Sequence, residues 1–411
     1  MRMTAKEAAE KWNVSLRSVQ GYCKTGRIPG AERFGSSWML PRDAQKPADC
    51  RRRGESERPK ERGRLLRRSP FLDMTDLYNE PGCADKRIEE LAHNKETQAL
   101  FSASIDYARG QIDKVYARAR YLLSNHHEFY AIVSGGILLS LVAMWKGDMQ
   151  LWKEARRHLL DVTCADEVDR DIVALSIASA DSAIRNTHDY PDWFARGCFD
   201  NLPRDAHPAA RVYYVKHLIV KAQELAMGSV KMEHLRGLAL MKTLPLMIEP
   251  MISQMVADKV VLAEIYLRLM CSVAYRQSGD NQLAIAHLDK AIKLCLADGL
   301  YVPLVENRRQ LGTFLDERII LIDANALQKV KTLHKQMHVG WTMLHNGVMK
   351  KTVAVHLSPR EREVARLVAY GFTDAQIAER LCITEASVKA LVRAAKNKTG
   401  TEKRKQLIDY I

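Results

Sequence analysis

Three stretches of this 411-residue chain share one plan: DYARGQIDKVYARARYLL from Asp106, AMWKGDMQLWKEARRHLLDV from Ala143, and AYRQSGDNQLAIAHLDKAIKL from Ala274. Each closes one helical pattern, passes a glycine among polar residues, and opens a second pattern with apolar residues three and four apart. Few folds accept that plan. It predicts antiparallel helix pairs in which the glycine takes the positive-φ position that ends the first helix. Small residues (Ala119, Ala155, Ala291) then let the second helix pack closely. Almost everything from Ala84 to Gln336 follows helical period and few segments alternate as strands do, so the chain reads as mainly α. The spacing between units is irregular, which makes the repeat degenerate. The apolar run FYAIVSGGILLSLVAMW (Phe129 to Trp145) falls short of the roughly 20 residues that span a bilayer. Serines and a Gly-Gly pair interrupt it, so it is expected as a buried helix and no membrane partner is expected.

With 47% apolar residues the chain can bury a substantial core, and its length suits two or three domains. A formal net charge of +14 and a pI of about 9.3 favour an anionic partner, nucleic acid or an acidic membrane surface. The excess is uneven: about +5 in the first forty-seven residues, about +6 from Arg51 to Pro70 and about +4 in the last fifty-four. The ends are therefore the expected binding regions. Eight cysteines are scattered, with no C-x-x-C pair and no histidine-paired spacing. That argues against a zinc site and a disulfide framework, and fits a reducing cytosol. The N-terminal MRMTAKEAAEKW has no apolar signal core, so the chain is expected to be cytoplasmic. No phosphate loop, dinucleotide fingerprint or nucleophile elbow occurs, and HHE at His126–Glu128 lacks a second histidine one turn on. No enzyme activity, cofactor, catalytic residue or metal ligand is expected. Trp145, Trp152, Trp193, Tyr213 and Tyr214 could line a ligand pocket, although such stripes more often pack in a core.

The C-terminal run LSPREREVARLVAYGFTDAQIAERLCITEASVKALVRAAKNKTGTEKRKQLIDYI (Leu357–Ile411) reads helix by helix. Ser358 and Glu361 form a capping box with Pro359 at the first position, and Gly371 ends the helix. Thr373 and Gln376 cap a short second helix, and Cys-Ile makes a tight turn with Ile383 plugging the angle. Thr384 caps a third helix whose inner side is Val388, Leu391, Val392 and Ala395. Lys389, Arg393 and Lys396 stand at i, i+4 and i+7 on its outer face. Gly400 would stop it and Thr401 would start a fourth. Short helix, tight turn, cationic helix is the plan of a helix-turn-helix. The elements LSPREREV, GFTDAQIAERL and ITEASVK resemble the LuxR/GerE-type DNA-binding domain over its full length. The resemblance implies double-stranded DNA as partner, with Lys389, Ala390 and Arg393 at base-reading positions. Ser387 and Lys396 fall at phosphate-holding positions, beside the capping Thr384. Leu391 stands where the family commonly has histidine, which touches packing detail and sequence preference. Leu407, Ile408 and Tyr410 would supply either a homodimer face or closure of the small core. The third helical unit, continuing as CLADGLYVPLVENRR, is similar to the tetratricopeptide-like arrays of large LuxR-type regulators of the MalT kind, which often carry an ATP-binding domain. This chain has no phosphate loop for one.

MTAKEAAEKWNVSLRSVQGYCKTGRIPGAERFGSSWMLP (Met3–Pro41) repeats the logic at the other end. Thr4 and Glu7 form a capping box, and Ala8, Ala9 and Trp12 face inward. Asn-Val turns the chain, Ser15 caps a second helix, and Val14, Val19 and Tyr22 form its packed side. After Gly26, AERF and SWML form a hairpin wing with Arg33 and Trp38 near its base. The stretch resembles the small winged helix-turn-helix of excisionases and the MerR family, which implies Arg17, Ser18 and Lys24 in the major groove and the wing, with Arg33, on backbone or minor groove. A protein-docking role for this head stands as the alternative, since Glu10 and Glu32 temper its charge.

The expected order is a winged helix-turn-helix (1–47), a basic flexible linker (48–80), a tetratricopeptide-like array (81–345), a short linker (346–356) and a LuxR-type head (357–411). The first linker's arginines are read as solvated or as holding phosphates. Together the parts suggest a DNA-binding transcription regulator whose array senses a small-molecule or protein effector, with RNA polymerase a further partner. The alternatives are a helical-repeat scaffold and an excisionase-like recombination accessory.

Overall fold

The computed structural model describes residues 2–12, 14–24, 28–34, 37–46, 69–186, 190–227, 231–349 and 357–399, together with Arg404 and Leu407. It forms two compact units, Met1–Leu66 and Arg67–Ile411.

The first unit runs β1 (Arg2–Thr4), α1 (Ala5–Trp12), α2 (Leu16–Lys24), β2 (Glu32–Phe34) and β3 (Ser37–Pro41). The strands form an antiparallel sheet of order β1-β3-β2. The hairpin is where the sequence placed it, and β1 adds a third strand that three residues are too few to announce by alternation. Thr4 ends β1 and caps α1: its N–H donates to Glu7 Oε2 at 2.7 Å and its Oγ1 accepts from Glu7 N–H at 3.2 Å. Met3, Ala8, Val19, Ile28 and Leu40 are sealed in the small core, with Trp12, Val14 and Tyr22 packed on it. Arg33 pairs with Trp38 in the middle of a three-pair ladder, next to the Glu32–Met39 pair at its base. The turn residues Asn13 and Gly26 lie outside the described residues.

The second unit opens with a tight turn at Leu72–Met74, then α3 (Ala84–Glu90), α4 (Lys95–Ala108), α5 (Ile112–Asn125), α6 (Phe129–Lys146), α7 (Met149–Asp161) and α8 (Glu167–Ala183). A short α9 (Asp192–Ala195) leads to α10 (His207–Met227), α11 (Lys231–Ala257), α12 (Val261–Ser278) and α13 (Asn281–Leu296). Then follow α14 (Val302–Leu311), α15 (Thr313–Ile322) and the long α16 (Ala324–Met349). Consecutive helices pack on one another, as α5 on α6, α6 on α7, and α12 on α13. Gly110, Gly147 and Gly279 have φ of 78°, 67° and 92°, ending helices as anticipated, and Ala119, Ala155 and Ala291 are fully buried.

α6 is long and apolar enough to cross a membrane, yet 72% of it is buried inside the protein. Its Gly-Gly pair explains how. A Cβ on Gly135 would stand 2.9 Å from Leu123 of α5, and one on Gly136 would stand 2.8 Å from Leu159 of α7. The long α16 lies against the same region, with Gly340 against the Trp145 carbonyl and the Trp341 Nε1–H donating to Ala183 O at 2.9 Å.

The array starts earlier and ends later than its sequence pattern. Residues 69–80, assigned to the linker, contribute Phe71, Leu72, Met74, Leu77 and Tyr78 to its core, and the Tyr78 hydroxyl donates to Asp298 at 2.7 Å. The preceding basic run masks that apolar cluster in any composition window. α16 passes the expected limit at residue 345 and reaches Met349. Residues 47–68, with their arginines, and 350–356 lie outside the described residues.

The chain closes with α17 (Pro359–Ala369), α18 (Asp374–Leu381) and α19 (Glu385–Thr399), which share a core of their own around Val364, Ile377, Val388 and Ala395.

Candidate nucleic-acid interface

Local bonds set the geometry of the C-terminal head. Ser358 Oγ accepts from Glu361 N–H at 3.1 Å while Glu361 Oε2 accepts from Ser358 N–H at 2.7 Å. Thr373 and Gln376 make the same reciprocal pair, at 3.3 and 2.9 Å. α18 ends at Cys382, which sits in the left-handed region at φ 50°, ψ 46° and so turns the chain within two residues. Ile383 packs on the core at that corner. Two arginines lock the arrangement, and sequence reading did not single them out. Arg360 reaches from the start of α17 to the Leu381 carbonyl at 2.8 Å, and Arg404 donates to the Phe372 carbonyl at 2.8 Å and pairs with Asp374. Leu407 is fully buried, so it closes the core. Gly400, Ile408, Tyr410 and the start of the fourth helix at Thr401 lie outside the described residues.

On α19 the buried side is Val388, Val392 and Ala395, with Leu391 half-buried beside them. Lys389, Ala390 and Arg393 are exposed on the opposite side and Lys396 is half-buried. Thr384 Oγ1 accepts from Ser387 N–H at 3.1 Å, and the two hydroxyls bond each other at 2.8 Å. Both are exposed, and each oxygen keeps lone-pair capacity. The helix therefore presents two hydroxyls at its positive end, an alanine with no bulk to hold a partner away, and a cationic stripe.

In the first unit, Arg17 and Lys24 are exposed on α2, and Ser18 is half-buried with its hydroxyl 2.8 Å from that of Ser15. Gly21 lies between the two cations, and a Cβ added there would meet nothing within 4 Å. The cost of a mid-helix glycine, about 0.5–1 kcal/mol, is thus not explained by internal packing. Arg33 is exposed on the wing. Arg2 pairs with Glu32 and holds its carboxyl below the usual range through that hydrogen bond.

The array holds a cavity lined by residues from Pro70 to Gln310. Of the five aromatic residues considered from sequence, Tyr213 lines it. Trp145 and Trp152 are buried in the core, and Trp193 and Tyr214 join an aromatic cluster with Phe194 and Phe199. Elsewhere Glu249, Cys271 and His287 meet from three helices, a grouping their sequence spacing does not announce. Glu249 Oε1 is the shared acceptor, 2.8 Å from His287 Nε2 and 3.2 Å from the Tyr275 hydroxyl, and burial pushes the Cys271 thiol up to about 12.

No curated protein and no solved structure matches the chain. Residues 348–411 match the family model of bacterial regulatory proteins, luxR family. The C-terminal head is accordingly a LuxR-type helix-turn-helix domain, and it supports a DNA-binding transcriptional regulator of that type.

Proposed function

We propose that the protein is a cytoplasmic transcription regulator that reads duplex DNA with a head at each end and senses an effector through the array between them. In the C-terminal head α19 enters the major groove. Lys389 and Arg393 meet base edges, Arg393 being suited to the O6 and N7 of guanine, and Ala390 allows close approach. Thr384, Ser387 and Lys396 take phosphates, which supply most of the affinity and its salt dependence. The observation that carries this reading is the outward stripe on α19, on a helix whose other side is buried. In the N-terminal head α2 plays the equivalent part through Arg17, Ser18 and Lys24, with Gly21 giving close approach and Arg33 on the wing.

Genome-wide footprinting of the intact protein tests this against variants carrying Lys389→Ala with Arg393→Ala, or Arg17→Ala with Lys24→Ala. Each pair is expected to erase one part of the footprint. Unchanged footprints in both would overturn the reading. An apolar row on α11 at Met232, Leu235, Leu238 and Leu246, each at least half exposed, offers a face to a protein partner, beside any small molecule the array takes up.

A further inference from the structure

The array holds a partly enclosed cavity. Pockets with apolar walls and a few convergent polar groups are the usual form of small-molecule sites. Phe71, Tyr107, Tyr213 and Tyr266 bring aromatic rings to the wall, so it suits an apolar, partly flat body.

The polar groups decide what else that body must carry. Glu306 accepts from the Tyr107 hydroxyl at 2.7 Å and from Lys216 Nζ at 3.4 Å. Lys216 is the one cation among the described residues lining the cavity, and this ion pair engages it. Asp73 has no ion-pair partner among the described residues and only backbone N–H groups of its own turn close by. Gln310 Oε1, also on the wall, is buried with no hydrogen-bond partner. A buried acceptor left bare costs about 1–3 kcal/mol, and the half-buried Asp73 adds a carboxylate with no cation beside it. The cavity wall thus carries two carboxylates against one cation, and its remaining donors, among them the Tyr213 and Tyr266 hydroxyls, are neutral.

We infer that this cavity binds a small molecule with an aromatic or alkyl body and a protonated amine, the ammonium held by Asp73 and a further N–H accepted by Gln310. The tyrosine rings add attraction for the cation through their faces. A carboxylate ligand would meet Asp73 with like charge. Burial pushes Asp73 up to about 6, and an ammonium beside it would draw that value back down. The inference deepens the sensing half of the proposed function and rests on it only for the consequence at DNA.

The test is calorimetric titration of the full-length protein, without DNA, with phenylethylamine, phenylethanol and phenylpropionate. The amine is expected to bind at least about tenfold more tightly than the alcohol or the carboxylate, as a charge-assisted bond should allow. Asp73→Asn keeps the side-chain shape, and it should abolish that preference by weakening the amine far more than the alcohol. Should that variant fail to fold by circular dichroism, Ser104→Phe, which fills the cavity from α4, should exclude all three compounds. Equal binding of the three, preference for the carboxylate, no binding at all, or an amine preference that survives Asp73→Asn would overturn the inference. Because DNA is absent from the titration, failure of either head to recognise DNA leaves this result unaffected, and the converse also holds.

Discussion

The C-terminal head and the helical array are both built of α-helices, yet the contacts that fix them differ in reach. In the head, each helix start is set by a cap between residues three apart: Ser358 with Glu361, Thr373 with Gln376, Thr384 with Ser387. Two exposed or half-buried arginines, Arg360 and Arg404, then tie the short helices together. In the array the decisive contacts join distant segments: Tyr78 with Asp298, Gly340 with the Trp145 carbonyl, Trp341 with Ala183. The lesson is about separability. Outward side chains of α19 can change without touching the head's fold, whereas one added atom in the array can force helices apart.

The largest effect expected from this contrast is at Gly340. A Cβ there would stand 2.0 Å from the Trp145 carbonyl oxygen, which is backbone and cannot rotate away. Gly340→Ala should destabilise the array by about 3 kcal/mol or more, read by chemical denaturation. A mild effect would break the contrast. In the head, Ser358→Ala removes a cap and should cost about 1 kcal/mol. Cys382 holds a left-handed conformation that glycine adopts freely, so Cys382→Gly should stabilise the head by about 1 kcal/mol, read by hydrogen exchange of α18 and α19.

The smallest expected effect is with pH. Burial lowers His217 to about 4 and His334 to about 3, so the unfolded chain, with histidines near 6.5, takes up protons first as the solution is acidified. Stability is therefore lost as pH falls from about 6.5 toward those values. Asp73, raised to about 6, works the other way: the folded state holds its proton first, which favours folding as pH falls through about 6. Two histidines outweigh one carboxyl, so the array should unfold more easily at pH 5.5 than at pH 7, and His217→Gln should reduce the difference. The C-terminal head contains no histidine and should show no such slope.

The same contrast explains what the sequence could tell. The caps, the Cys-Ile turn and the one-sided cations of α19 are short-range features, and they are legible residue by residue. So are the helix-ending glycines of the array. The strand Arg2–Thr4 is too short to carry a pattern. The start of the array at Ser69 is hidden behind arginines, which also hid Asp73 from any reading of the site. The crossing at Gly340 depends on a partner almost two hundred residues away, and nothing local marks it. For the same reason only Tyr213 of the five aromatic residues considered belongs to the cavity: its lining comes from many helices at once.

The central claim is that α19 discriminates base pairs through Arg393. The direct measurement is a titration of wild type, Arg393→Ala and Lys396→Ala against the preferred duplex and a scrambled one, at several salt concentrations. Arg393→Ala should lose about 1–3 kcal/mol on the preferred duplex and little on the scrambled one, while Lys396→Ala should weaken both alike and reduce the salt slope by about 1. Full affinity and full discrimination retained by Arg393→Ala would contradict the account.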